Sequence, residues 1–200
     1  TGNPQGARLV PLYLRPLARR ADALLAVAQM QKDYLVETEG LPAERIRVIH
    51  NGVDAVAHHP AVGDERARAR AGLGLAPDAV VLATVASLKG AKRIDLFLRA
   101  AAPVLQRHEP AHVLLVGDGP DRGTLETLAR ELGLEGRVTF AGVRDDVANV
   151  LRACDVLVLS SRVGTETFPN VVLEAMATGL PVITTDVGSV REMVEDGRST

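Results

Sequence analysis

Short runs dominated by Val, Leu and Ile recur along the chain and alternate with stretches in which apolar residues return at helical spacing. Runs that stay apolar throughout are the mark of strands buried on both faces, and their alternation with amphipathic helices is the rhythm of a parallel sheet covered by helices. This reading predicts strands at Ala23–Ala28, Arg45–Ile49, Val80–Ala86, His112–Val116, Arg137–Ala141, Val156–Leu159 and Pro181–Thr184. Between them, Ile94, Phe97, Leu98, Ala101 and Leu105 fall on one face of a helix over Arg93–Arg107. A second helix over Asp121–Leu132 stops at Gly133, and a third over Asn170–Thr178 stops at Gly179, where glycine accepts the left-handed turn that ends a helix.

One stretch breaks the rhythm. His50-Asn51-Gly52-Val53-Asp54 carries the Asn-Gly turn signal, and a polar segment with His58, His59 and Pro60 follows it before an Arg-rich helix near Asp64–Ala71. We therefore expect residues 1–54 to be the tail of a preceding domain and 55–200 to be a second domain. Two strands are too few for an independent core. The Arg-Ala alternation at Arg66–Arg70 reads as a solvated helix face, and the His58-His59 pair as surface linker. The opening Thr1-Gly2-Asn3-Pro4 lacks an initiator Met and a signal-peptide pattern, so a longer parent is expected.

Composition narrows the function. Only 2% of residues are aromatic, which leaves few platforms for stacking bases, and the net charge of −2 offers no general attraction to nucleic acid. Any phosphate site must be local. The single Cys154 excludes an internal disulfide and no apolar run reaches the roughly 20 residues of a membrane span, so a cytoplasmic protein is expected. No His, Cys or acidic spacing suggests a metal site, and no order of Ser, His and Asp suggests a covalent hydrolase.

Two motifs could carry chemistry. Val116-Gly117-Asp118-Gly119-Pro120 runs from a strand into a helix and has the outline of a dinucleotide fingerprint. Its Asp118 would place a carboxylate beside a pyrophosphate and its glycine spacing is wrong, so it reads as a tight turn. The second motif is Glu166-Thr167-Phe168-Pro169-Asn170-Val171-Val172-Leu173-Glu174. Pro169 suits the first turn of a helix, which leaves the amides near Asn170 and Val171 as donors at the positive end of the dipole. Glu166 before that end and Glu174 about one turn inside could both face a ligand, and carboxylates suit the paired hydroxyls of sugars. On spacing alone, a helix-capping Glu166 with a solvent-facing Glu174 stands equally open.

The second motif closely resembles the signature of the retaining nucleotide-sugar glycosyltransferases of family GT4, glycosyl transferase group 1, which have the two-domain GT-B fold. The likeness extends through Gly179-Leu180-Pro181-Val182-Ile183 and Asp155–Ser161. It also takes in Gly117-Asp118-Gly119-Pro120, and Arg45–Asp54, similar to the family's interdomain crossover. It implies a GT-B chain in which 1–54 end the acceptor-side domain and 55–200 form most of a Rossmann-like donor-binding domain. By position, Glu174 matches the carboxylate on the nucleotide ribose. Glu166 matches the one beside the transferred sugar's reacting carbon, and Lys92 the cation on the donor diphosphate, which makes Glu166 and Lys92 the catalytic pair. Val143 and Arg144 match the loop that meets the base, Phe168, Pro169, Asn170 and Val171 the segment whose amides meet sugar and phosphate, and Gly119 the glycine turn of the donor site.

Two positions depart from the pattern. Thr167 stands where the family commonly has Gly, and Ser87 where it often has Arg. Ser donates a hydrogen bond but cannot neutralise phosphate, so Lys89 or Arg93 would have to supply that charge. The resemblance implies glycosyl transfer with retention from a UDP- or GDP-sugar, with no cofactor or metal required, to a glycan, lipid or small-molecule acceptor held mainly by the parent's N-terminal domain. Any membrane association would come through the parent, and no nucleic acid is involved. A nucleotide-sugar-binding module without transfer and a nucleotide-sugar epimerase of the same fold are the competing functions.

Overall fold

A computed structural model describes residues 16–18, 20–195 and 198–199. The chain divides into two compact units, Thr1–Asn51 and Gly52–Thr200, so the division falls inside the Asn-Gly turn rather than after Asp54.

In the first unit, β1 (Leu24–Ala26) pairs in parallel with β2 (Ile46–Val48). Helix α1 (Gln29–Glu37) makes the crossover. Ala18, Ala26, Leu41 and Ile46 form a small core, with Leu24 and Leu35 packed on it.

The second unit carries α2 (Glu65–Gly72), β3 (Val80–Val85), α3 (Ile94–Arg107), β4 (Ala111–Val116), α4 (Arg122–Glu131), β5 (Val138–Gly142), α5 (Val147–Ala153), β6 (Val156–Leu159), α6 (Asn170–Ala177), β7 (Val182–Thr184) and α7 (Val190–Met193). A short antiparallel pair follows, β8 (Val194–Glu195) with β9 (Arg198–Ser199). Strands β3 to β7 form one sheet in the order β5-β4-β3-β6-β7, with every neighbour parallel. The apolar runs are continuous because both faces are covered. On β4, Val113 and Leu115 pack with Phe97, Leu98, Leu125 and Leu128, while Leu114 and Val116 pack on the other face with Val150, Leu151 and Ala175. The alternation of side chains along a strand thus feeds two separate aliphatic layers.

Chain order reverses at β3: the chain moves outward through β4 to β5, then returns to β6 on the opposite side of β3 and continues to β7. Such a switch point opens a crevice at the carboxyl ends of the two strands. The loops after β3 and β6 both leave from there.

Two surface expectations are corrected. Arg66 and Arg70 are not a solvated face: they lie four residues apart on α2, so both reach Asp155, with nitrogen to oxygen distances of 2.5 and 2.9 Å, and Arg70 is only 4% exposed. They also donate to the carbonyls of Cys154 and Ala153, just past and at the end of α5, where helix carbonyls lack partners and the dipole favours cations. The segment after the break is also pinned rather than loose. Buried Arg152 donates to the Ala57 carbonyl at 2.6 Å and to His59 Nε2 at 2.8 Å, while His59 Nδ1 donates to the Pro60 carbonyl.

Candidate functional site

The loop after β3 runs from Ala86 to Arg93. Its first half is zipped to the loop after β4: Ala86 N donates to Val116 O, Leu88 N to Asp118 O, and Asp121 N to Leu88 O. The two backbones approach so closely that a Cβ at position 119 would stand 2.3 Å from the Leu88 carbonyl oxygen. A Cβ at position 117 would stand 2.0 Å from that of Ala86, and Gly117 has φ +124. Glycine is therefore required here for chain contact. The Gly119 amide is taken by Asp118 Oδ1 at 2.7 Å, so the structure gives Gly119 a role in the turn itself.

The second half of the loop is a single helical turn, Gly90–Lys92, followed by Arg93 at φ +49. Arg93 is the one non-glycine residue with positive φ among the described residues. A left-handed residue here costs about 1–2 kcal/mol and turns the chain into α3 immediately after Lys92. Lys92 then reaches across the switch point, its Nζ 2.5 Å from Glu166 Oε1 on the loop after β6. The side chains are 20% and 10% exposed, so the pair is shielded but reachable. Ser161 Oγ donates to the same carboxylate oxygen at 2.5 Å, and Glu166 Oε2 accepts no hydrogen bond among the described residues. Two residues 74 apart in sequence are joined because the fold sets the ends of β3 and β6 side by side.

The backbone beyond Glu166 is gripped from below. Ser189 donates to the Thr167 carbonyl through its amide at 3.0 Å and its hydroxyl at 2.6 Å. Gly188, at φ +56, lies so near that a Cβ would meet the Glu166 carbonyl oxygen at 2.7 Å. Thr167 itself has an exposed side chain and no left-handed backbone, so glycine is not needed at this position.

Pro169 occupies the N-cap of α6, one residue before the helix rather than within its first turn, and no side chain caps the helix. Glu166 is thus not a cap. Phe168 and Pro169 are buried, Asn170 is exposed, and Val171, second in the helix, has an amide without an acceptor one turn back. Glu174 lies about one turn further, half-buried, and its carboxylate has no hydrogen bond or ion pair among the described residues. Val143 is 76% exposed in the loop after β5. Beside it, Arg144 is held by both oxygens of Asp146 at 2.7 and 2.8 Å, which raises the Arg144 pKa further and holds the Asp146 carboxyl below the usual range. Ser87 is exposed at the end of β3. Of the two cations that could replace it, Arg93 is engaged by Asp95 through Nε at 3.0 Å and through a second nitrogen at 3.2 Å, whereas Lys89 is exposed and has no ion pair among the described residues. Among the described residues no group of three or more His, Cys, Asp or Glu is placed to hold a metal, and no helix is long and apolar enough to cross a membrane.

The residues that sequence reasoning missed are Ser160, Ser161, Gly188 and Ser189. They carry no charge: Ser160, Gly188 and Ser189 meet backbone carbonyls and Ser161 meets the Glu166 carboxylate, contacts that only the fold reveals.

Residues 79–200 match the profile of the family described as glycosyl transferases group 1. The chain belongs to that family. The preceding part, residues 2–56, matches the profile of glycosyltransferase family 4. Among curated relatives of this group 1 chain, the D-inositol 3-phosphate glycosyltransferase of Nocardia farcinica is 37% identical over 193 residues, covering 92% of the chain and 42% of that protein. The enzyme of the same name from Mycobacterium sp. (strain KMS) is 38% identical over 185 residues, covering 88% and 40%. The chain thus spans well under half the length of these relatives. Among solved structures, Anabaena Alr3699/HepE in complex with UDP superposes with a TM-score of 0.82 at 30% identity, covering 92% of the chain and 51% of that protein. The same protein has also been solved with UDP-glucose. Sucrose-phosphate synthase from Thermosynechococcus elongatus gives a TM-score of 0.80 at 28% identity, covering 98% of the chain and 49% of that protein. These neighbours share the parallel sheet flanked by helices, and structures of other glycosyltransferases match it as well.

Proposed function

We propose that the second unit binds the nucleotide-sugar donor of a retaining glycosyltransferase, and that the first is the end of the acceptor-side domain. The observation that carries this reading is the Lys92–Glu166 pair at the crevice between β3 and β6, with Glu174 on α6, whose carboxylate has no partner among the described residues. A cation that holds a carboxylate can turn to a diphosphate when one arrives, since the diphosphate carries two negative charges to the carboxylate's one and accepts equally strong charge-assisted bonds. The released Glu166 is then an acceptor for sugar hydroxyls, and Glu174 for the ribose diol. The neighbour solved with UDP and with UDP-glucose favours a UDP-sugar among nucleotide donors.

In transfer, the bond from the anomeric carbon to the diphosphate oxygen breaks and a bond to the acceptor oxygen forms on the same face of the sugar. The diphosphate leaves with the electron pair, and the acceptor's proton passes to a phosphate oxygen. Lys92 and the first-turn amides of α6 stabilise that leaving charge, where preorganised donors act most strongly. Lys89, exposed two residues after Ser87, would supply the charge that Ser87 lacks. No metal or cofactor enters these steps.

Calorimetric titration tests the reading: Lys92→Ala should weaken UDP by about 1.5–3 kcal/mol and leave uridine unchanged, as expected for one lost bond to a charged partner. Equal weakening of both ligands removes Lys92 from the phosphate site. Because an acceptor must be held against the donor for reaction, the 200-residue chain should bind UDP yet transfer no sugar across a panel of acceptors. Product analysis separates transfer from epimerisation of the sugar on its nucleotide.

A further inference from the structure

Immediately after β6, Ser160 and Ser161 leave the sheet as neighbours whose side chains go to different partners, as successive residues of an extended chain do. Ser160 Oγ lies 2.9 Å from both the Lys92 and the Arg93 carbonyl oxygens. Ser161 Oγ lies 2.5 Å from Glu166 Oε1. Both are almost completely buried, at 6% and 2% exposure, where a hydroxyl is costly unless it is bonded.

We propose that these two serines are positioning residues with separate tasks: Ser160 holds the strained turn that presents Lys92, and Ser161 holds the carboxylate of Glu166. The inference rests on the donor-binding reading of Lys92 and Glu166. Three observations support the division of labour. First, Arg93 is the left-handed residue, and a strained conformation persists only where its surroundings over-determine it. Its carbonyl receives Ser160, and the chain beside it is tied again by Arg162 N donating to Ala91 O at 2.8 Å. Second, Ser161 is itself fixed through its carbonyl, which accepts Thr185 Oγ1 at 2.7 Å, so its hydroxyl approaches Glu166 from a rigid base. Third, Lys92 Nζ and Ser161 Oγ both meet Glu166 Oε1, each at 2.5 Å, so one donor is left on that carboxylate when Lys92 turns to a diphosphate.

The test is calorimetric titration of the 200-residue chain with UDP and with UDP-glucose. Ser160→Ala should weaken both ligands equally, by about three- to tenfold, leaving their affinity ratio unchanged. Ser161→Ala should leave UDP within about twofold and weaken UDP-glucose by about three- to tenfold, and Ser161→Thr, which restores the hydroxyl, should recover it. A merely structural role moves both ligands together in both variants, and that result overturns the proposal. Should Ser161→Ala fail to fold, Ser161→Cys, with nearly the same volume and a weaker donor, is judged by the same ratio. Glu166→Ala and Lys92→Ala run beside them. If those two shift binding and the serine variants do not, the serine proposal alone falls; if those two shift nothing, the donor reading falls and takes the serine proposal with it.

Discussion

Replacing Gly188 by Ala probes how tightly the fold holds the Glu166 loop. Gly188 has φ +56, so any side chain there costs about 1–2 kcal/mol in backbone strain. Its added Cβ would also lie 2.7 Å from the Glu166 carbonyl oxygen and 2.9 Å from that of Thr167, and backbone atoms cannot rotate out of the way. Relieving two such contacts adds about 1–3 kcal/mol, the usual cost of forcing extra volume into a packed site. Gly133→Ala is the matched control: its φ is +68, and a Cβ there meets nothing within 4 Å. It should lose only the strain. With about 2–4 °C per kcal/mol for a domain of this size, thermal melts should place Gly188→Ala below Gly133→Ala by about 2–12 °C. Only Gly188→Ala should weaken UDP-glucose relative to UDP, because only it displaces the segment carrying Glu166. Equal melting temperatures, or an unchanged ligand ratio in Gly188→Ala, would mean that Gly188 does not hold the Glu166 segment in place.

Two further expectations concern the frame of the second unit. Asp155 accepts from Arg66, from the buried Arg70 and from the Val81 amide, so Asp155→Ala strands a buried charge and should cost about 3–5 kcal/mol in urea unfolding, against under about 1 kcal/mol for Asp64→Ala, whose partner Arg68 is exposed. Burial pushes the Cys154 thiol up from the usual 9.0 to about 12. An acid raised in the folded state contributes stability that is whole below pH 9 and lost as pH climbs through 12, so Cys154→Ala should flatten the alkaline fall in stability by up to about 1.4 kcal/mol per pH unit over that window; an unchanged slope refutes it.

The sheet was legible because its strands are buried on both faces: Val156–Leu159 is an unbroken apolar run, Val80–Val85 is interrupted only by Thr84, and Gly133 and Gly179 mark helix ends by needing left-handed backbone. Charge pairing across the fold was not legible. Nothing local in Arg66-Ala67-Arg68-Ala69-Arg70 distinguishes the solvated Arg68 from its neighbours, which depend on Asp155, more than 80 residues away. The glutamates and Lys92 stood out by motif, but that Lys92 touches Glu166 follows from the strand order, which brings β6 beside β3. Gly119 shows the opposite case, since a glycine that resembles a ligand-binding one is required by the Leu88 carbonyl. Ser161, two residues past an apolar strand, gives no sign in the sequence of its carboxylate partner, because a hydroxyl's importance depends wholly on what it faces.

The central claim is that Glu174 holds the nucleotide and Glu166 the sugar, and paired titrations of Glu174→Ala and Glu166→Ala with UDP and with UDP-glucose test it most directly. Glu174→Ala should weaken both ligands by about 1.5–3 kcal/mol, near or above tenfold, while Glu166→Ala should leave UDP nearly intact and weaken UDP-glucose alone. If the two substitutions affect both ligands alike, or if 2′-deoxy-UDP binds the native chain as well as UDP does, the assignment is wrong.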